Sequence, residues 1–492
     1  MSLFDILPDG LLARLVGDAD TKEIRRTSRR LRVAHNATVT HMKIKRRDHD
    51  TARPEAASLT TTVVSCPNLR SISIGSISPE FDCLSLGDTA LRAMHGPALA
   101  GRLQDLSFVC LGVSEDDVAS LADAIRPFCG LRKFKGCHMN WGVSRSLLAS
   151  LGGGREMPCM TEIDIGYCDL TLSGAALSVL ARMPWLEVLK LDSCSLSREG
   201  ALAISHASTT LRSLSLFVVD GGHEALAVSV NSLLTRLTSL RLSMPCLGIV
   251  SLLLGTAITK LVLGTDIDED EEMQSWPDAV FDDLAGMTRL TCLCLRHDAV
   301  DYPRLAVALG SLTRLTKLKI MWGPLTPSSA AVLAPAIGLL SGLRTLKLMG
   351  MYNPPSKSIA ELARAHALGQ LTGLQTLSIV SGGIGPDGAA ELASALEKMS
   401  GLTAVSLGGN HIGPSGLGAI APSLAALPGL VCLDLRDNNL AGYGRHAALR
   451  AAMLALTRLT RLDLSGNLDR GQMAELSDEL MRAIPTLKSK PT

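Results

Sequence analysis

Leu459-Thr460-Arg461-Leu462-Asp463-Leu464-Ser465-Gly466-Asn467 reads L-x-x-L-x-L-x-x-N. Residues 430–438 (LVCLDLRDN) and 402–410 (LTAVSLGGN) repeat the phrase closely. Its middle is a short strand, because strand side chains point to opposite faces in turn. Leucines at the first, fourth and sixth positions are therefore expected inside, and residues at the third and fifth positions outside. The closing asparagine marks a turn, where its amide can satisfy backbone groups of adjacent loops.

Variants of the phrase begin at Val39, Leu69, Leu103, Leu131, Met160, Leu186, Leu211, Leu237, Ile258, Leu290, Leu315, Leu343, Leu374, Leu402, Leu430 and Leu459. From 39 to 459 is 420 residues over fifteen intervals, a mean of 28. Segments 174–183, 330–340, 388–396 and 416–427 between strands read as helices. One unit of this kind cannot bury its apolar face alone, so neighbours must stack. The spacing is least regular after Leu237, where an interval of 21 is followed by one of 32.

This phrase at this period resembles the leucine-rich repeats of the ribonuclease-inhibitor class, over roughly residues 60–470. The resemblance implies an α/β leucine-rich-repeat solenoid of about 15–16 repeats. Such a horseshoe carries a parallel β-sheet on its concave face and helices on its convex face. Cys168 and Cys194 occupy the asparagine position, a replacement the class also uses. Gly323, Met351 and Gly382 stand there in other repeats and predict less regular turns. The expected organisation is a separate segment at 1–38, an irregular first repeat at 39–68, repeats over 69–469, and a C-terminal cap helix and tail at 470–492. In that last segment Met473, Leu476, Leu480 and Ile484 share one helical face.

Residues 1–38 read as two helices. Leu7, Pro8, Leu11, Leu12 and Leu15 open the first, and Ile24 and Leu31 lie on the apolar stripe of the second. The phrase Leu7-Pro8-Asp9-x-Leu11-Leu12, followed by Ser28-Arg29-Arg30-Leu31-Arg32, resembles a shortened F-box. That resemblance implies a substrate receptor of an SCF-type ubiquitin ligase, with the cullin-RING adaptor bound through residues 1–38. The alternative for the same residues is a capping helix pair covering the first repeat.

The bulk numbers exclude several classes. Formal net charge is +1, so no overall field draws the chain to nucleic acid or anionic lipid. Aromatic residues are 3% of the chain, too few for a base-stacking platform. The first residues lack the basic and apolar regions of a secretory signal. Twelve cysteines occur without a C-x-x-C pair, which favours free thiols and a cytoplasmic setting, with nucleus or cytoskeleton and axoneme as alternatives. Uncharged runs at 242–259 and 320–343 hold prolines, glycines and a strand start, so they read as turns and crossover helices rather than membrane spans. A monomer is expected.

Catalytic patterns are absent from the sequence: no G-x-x-x-x-G-K-[ST], no G-x-S-x-G and no H-E-x-x-H. The acidic run 266–272 starts like a calcium loop, but Glu271 and Pro277 stand where glycine and a bidentate glutamate belong. Cys292 and Cys294 sit at outward positions and read as exposed, unpaired thiols, because zinc wants four ligands. No cofactor or metal is expected, and the chain reads as a non-enzyme.

What is left is a protein-binding face. Its charged candidates are Lys133, Lys135, Glu162, Asp164, Lys190, Arg241, Lys260, Arg296, Lys317, Lys319, Lys347, Asp434, Arg461 and Asp463. From Arg241 through Lys347 they are all basic, which suggests an acidic surface on the partner. The runner-up to the ligase reading is a ribonuclease-inhibitor-like scaffold or inhibitor, cytoskeletal or axonemal, with no ubiquitin link.

Overall fold

The computed structural model describes residues 39–45, 66–75, 99, 101–109, 115–137, 141–166, 171–172, 177–206, 209–218, 236–242, 250, 253–264, 276–296, 300–321, 327–350, 367–440 and 447–488. The F-box-like segment 1–38 and the acidic run 266–272 lie outside them, as do Gly323 and Met351. Two compact units divide the chain, Met1–Leu237 and Thr238–Thr492. The division falls at the phrase that opens the irregular interval.

In the first unit the phrases form β1 (His41–Lys45), β2 (Ser71–Gly75), β3 (Asp105–Val109), β4 (Lys133–Cys137) and β5 (Glu162–Gly166). The two-residue β6 (Thr171–Leu172), β7 (Val188–Leu196) and β8 (Ser213–Val218) follow. Pairing is parallel throughout, β1 to β5 in order, then β5 with β7 and β7 with β8. β6 pairs only with the far end of β7, where the ladder shifts register between Asp192 and Cys194.

The second unit holds β9 (Ser239–Leu242), β10 (Lys260–Gly264), β11 (Cys292–Arg296), β12 (Lys317–Met321), β13 (Thr345–Met349) and β14 (Thr376–Val380). It ends with three short strands, β15 (Ala404–Ser406), β16 (Cys432–Asp434) and β17 (Arg461–Asp463). These nine are parallel and pair in chain order. Each unit is thus built as a leucine-rich-repeat solenoid, one strand per phrase.

The inward positions are closed. Leu430, Leu433 and Leu435 are 3%, 2% and 0% exposed, and Leu459, Leu462 and Leu464 are equally buried. In many repeats a further apolar residue three places before the phrase completes the layer. Met399, Leu340 and Leu312 are buried there, and their carbonyls accept the first amide of the phrase at 3.0, 2.9 and 3.0 Å. Helix Tyr302–Ser311 packs on helix Pro327–Gly338 and Gly385–Leu396 on Gly413–Ala426, with the 3₁₀ turn Leu368–Gln370 between the two helix pairs. In the run 320–343, residues 322–326 lie outside the described residues and Pro327–Gly338 is one of these helices; no helix among the described residues is long and apolar enough to cross a membrane.

Of the segment expected as a helix over 174–183, residues 174–176 lie outside the described residues, Leu177 is α-helical and Ser178–Arg182 continue as a 3₁₀ turn. A 3₁₀ turn rises about 2.0 Å per residue against 1.5 Å for an α-helix, so it suits a short crossover. The C-terminal helix starts earlier than its apolar stripe suggests, at Arg470–Ala483, because the Asp469 carboxylate accepts the Gln472 amide at 2.9 Å and caps it.

Three hydrogen-bond ladders tie the repeats together. The first runs through the turn asparagines, all buried: Asn410, Asn438 and Asn467. Asn438 Oδ1 accepts the amides of Asn410 (3.0 Å) and Ile412 (3.4 Å) in the preceding repeat. Its Nδ2 donates to the carbonyls of Leu407, Leu435 and Arg436. Asn467 does the same for Asn438 and Leu440, and Asn410 reaches Gly382. The second ladder is made by threonine at the second phrase position. The hydroxyls of Thr259, Thr291, Thr316, Thr403 and Thr460 each donate to a carbonyl one repeat earlier, at 2.9–3.3 Å. In the third, the residue just before the phrase reaches back. Arg236 donates to the Thr209 carbonyl, Thr210 to Pro184, and Arg458 to Pro428.

Candidate recognition surface

Within each unit, the outward side of the strands aligns side chains from successive repeats in register. Third, fifth and seventh phrase positions form three parallel rows, each crossing one strand every 4.8 Å or so.

In the first unit the charged members neutralise one another. Lys133 faces Glu162 in the third row, and Lys135, Asp164 and Lys190 are consecutive in the fifth. Glu162 lies 3.0 Å from Lys133 and 2.8 Å from Lys190. Asp164 lies 3.4 Å from both Lys135 and Lys190. The hydrogen bond from Lys190 holds the Glu162 carboxyl below its ordinary range; partial burial opposes this and Lys133 reinforces it. Burial disfavours the Lys190 ammonium, but Glu162 and Asp164 outweigh it and raise its pKa. Asp164 also accepts the Cys137 thiol at 3.7 Å. Beside this network Ser215 donates to Asp192 at 2.5 Å, and both residues are buried. Ser215 therefore stands on the outward side of its strand but is covered there.

In the second unit the field over β9–β14 is one-signed. Lys260, Cys292 and Lys317 are consecutive in the third row. Val262, Cys294, Lys319, Lys347 and Ser378 follow one another in the fifth, after Arg241 on β9. Arg296 stands in the seventh, beside Met321, Met349 and Val380. The three rows of β10–β14 contain five basic residues and no carboxylate. Ion pairs in this unit join other residues, among them Arg304 with Asp278 and Arg450 with Glu479. Among the described residues no carboxylate lies within salt-bridge distance of Lys260, Lys317, Lys319 or Lys347.

Cys294 corrects the expectation of two exposed thiols. Cys292 is half-buried, but Cys294 is 7% exposed. Burial pushes the Cys294 thiol up, against the pull of Arg296 and Lys319. Strand alternation puts it on the outward face, and neighbouring side chains then cover it. Gly264 shows how closely β10 and β11 approach. Its φ is +134°, and a Cβ there would fall on the Arg296 carbonyl.

Beyond β14 the charges mix again. Asp434 accepts the Ser406 hydroxyl at 2.8 Å and lies 3.9 Å from Arg436. Arg461 is exposed, and the Asp463 carboxylate accepts the Ser465 amide and hydroxyl. Among the described residues no group of three or more histidine, cysteine or acidic side chains could hold a metal ion.

Comparison with known proteins gives a match to the family model described as Leucine Rich repeat over residues 400–421. No curated protein matches the chain. An internalin from Listeria monocytogenes is similar in structure at 16% identity, covering 93% of this chain and 95% of that one, with a TM-score of 0.31. A leucine-rich-repeat protein of Leptospira interrogans is similar at 13% identity, covering 97% of each chain, with a TM-score of 0.32. A chain of the yeast Rad7 and Elc1 complex is similar at 17% identity, covering 64% of this chain and 78% of that one, with a TM-score of 0.43.

Proposed function

We propose that this leucine-rich-repeat protein is a non-catalytic protein-recognition module whose contacts are made by the outward rows of its strands. The observation that carries the reading is a division of labour within each strand. Buried leucines repeat from phrase to phrase, whereas the third and fifth positions are acidic, basic, polar or apolar in different repeats. Such a surface is rigid, because its backbone is fixed by stacking, and it varies only where a partner would touch it.

Site-specific photo-crosslinking tests this. A benzophenone side chain replacing Lys319 should capture a protein partner, and one replacing Val332 on the exposed side of helix Pro327–Gly338 should not. Capture only from the helix side would refute the proposal.

The finer reading is recruitment of that partner to a ubiquitin ligase. It rests on the F-box-like phrase of Leu7, Pro8, Leu11, Leu12, Ile24 and Leu31. Pull-down of the cullin-RING adaptor by the full chain, and its loss when residues 1–38 are removed, would support it. An intact chain that retains no adaptor leaves the scaffold or inhibitor reading in its place.

A further inference from the structure

We infer that the strand face of β10–β14 takes an acidic, partly apolar segment of a partner protein laid across the strands. This deepens the proposed function and rests on the strand face being the contact surface.

The argument starts from charge. Lys260 and Lys317 stand two strands apart in the third row, and Lys319 and Lys347 stand side by side in the fifth. Lys260 and Lys317 are exposed and the other two half-exposed. Four ammonium groups on neighbouring strands repel one another, and nothing described in the fold offsets them. Charges left so close together are stabilised by whatever brings carboxylates over them.

The seventh row narrows the partner. Met321, Met349 and Val380 are adjacent there and only partly covered. They make an apolar band directly beside the cationic one. Methionine adapts its shape to apolar side chains at a contact surface. Crossing from β10 to β14 is four strand spacings, about 19 Å, which an extended chain covers in about six residues. Alternating side chains of such a segment would put carboxylates over the lysine rows and apolar groups over the methionine row. Nucleic acid fits less well. No aromatic side chain stands in these rows to stack a base, and the apolar band would meet nothing in a phosphate backbone.

Fluorescence anisotropy on the full chain tests the assignment with three probes: a peptide alternating glutamate and leucine, the same peptide with serine for leucine, and a single-stranded DNA of matched length. The glutamate–leucine peptide should bind with a Kd below about 1 mM, at least about tenfold tighter than the serine version. Lys317→Glu with Lys319→Glu should weaken it by a further factor of at least about ten and flatten its salt dependence. Met321→Ser with Met349→Ser should remove the advantage of leucine over serine. Absence of peptide binding at about 1 mM, indifference to charge reversal, or DNA binding as tight as the glutamate–leucine peptide would each overturn the inference. If the peptides fail while a partner still crosslinks through position 319, only the acid-and-apolar assignment falls. Crosslinking from the helix side alone removes both.

Discussion

Asn438→Ala removes the centre of the asparagine ladder, and the structure says which groups it orphans. Three acceptors lose a donor but keep another. The Leu407 carbonyl is still met by Asn410 Nδ2 at 2.8 Å, that of Leu435 by Asn467 Nδ2 at 2.8 Å, and that of Arg436 by the Gly409 amide at 2.9 Å. The amides of Asn410 and Ile412 lose the side-chain acceptor that holds them, the first at 3.0 Å and the second, more weakly, at 3.4 Å. An orphaned buried donor costs about 1–3 kcal/mol. Counting Asn410 at the middle of that range, about 2 kcal/mol, and Ile412 at its low end, about 1 kcal/mol, gives about 3 kcal/mol, with a small addition for the vacated amide volume. Asn438→Asp keeps the acceptor but faces three carbonyls with a carboxylate. Its folded pKa would rise above the unfolded value of about 3.9, so its deficit should grow as pH rises from 4 to 7 and shrink as pH falls. Urea denaturation gives the totals, and native-state hydrogen exchange gives the location, which matters because repeat arrays can open locally. The Asn410 and Ile412 amides should lose protection while those of β12 keep theirs. An alanine variant within about 0.5 kcal/mol of wild type, or unchanged exchange at those two amides, would refute the reasoning.

Leu433→Ala, at a side chain 2% exposed, should cost about 2–4 kcal/mol, and an unmoved urea midpoint would contradict the assigned register. Iodoacetamide at pH 8 should label exposed Cys159 well before Cys294, whose raised pKa and burial both withhold thiolate, as peptide mass mapping over time will show. Glu162→Gln should cost on the order of 0.5–1 kcal/mol near neutral pH, the size of a solvent-screened pair. The lowered Glu162 pKa gives stability above the unfolded value that is lost as pH falls through the folded one. The raised Lys190 pKa gives stability lost as pH rises through the folded value. The wild-type advantage over Glu162→Gln should therefore vanish at both extremes of a pH series; an advantage constant with pH would refute the network's role.

The core was legible because its signal is repetition. A leucine missing from one phrase is supplied by the next, and the third, fifth and seventh rows follow from aligning phrases. That alignment already places Lys133 against Glu162 and Lys135 against Asp164, so the ion network could have been read by comparing equivalent positions instead of scanning each strand. The threonine ladder was equally visible at the second position and was missed, because its bonds run between repeats and not within one. Cys294 and Ser215 were misread for a different reason. Strand periodicity decides which side of the sheet a residue occupies, but coverage on that side depends on neighbours such as Asp192, which Ser215 meets from the adjacent strand. The 3₁₀ crossover at Ser178–Arg182 was hidden because apolar spacing alone does not distinguish a tight turn from a short helix.

Asn410 and Asn438 each accept an amide from the repeat before through Oδ1 and offer their own amide to the asparagine of the repeat after. Each of these two units therefore carries one male and one female half of the same joint. A duplicated copy of residues 410–437 inserted after itself would find both halves waiting and need no compensating change on either side. The chain can lengthen by copying in this region, one strand of contact surface at a time, while the rows that face a partner are free to diverge.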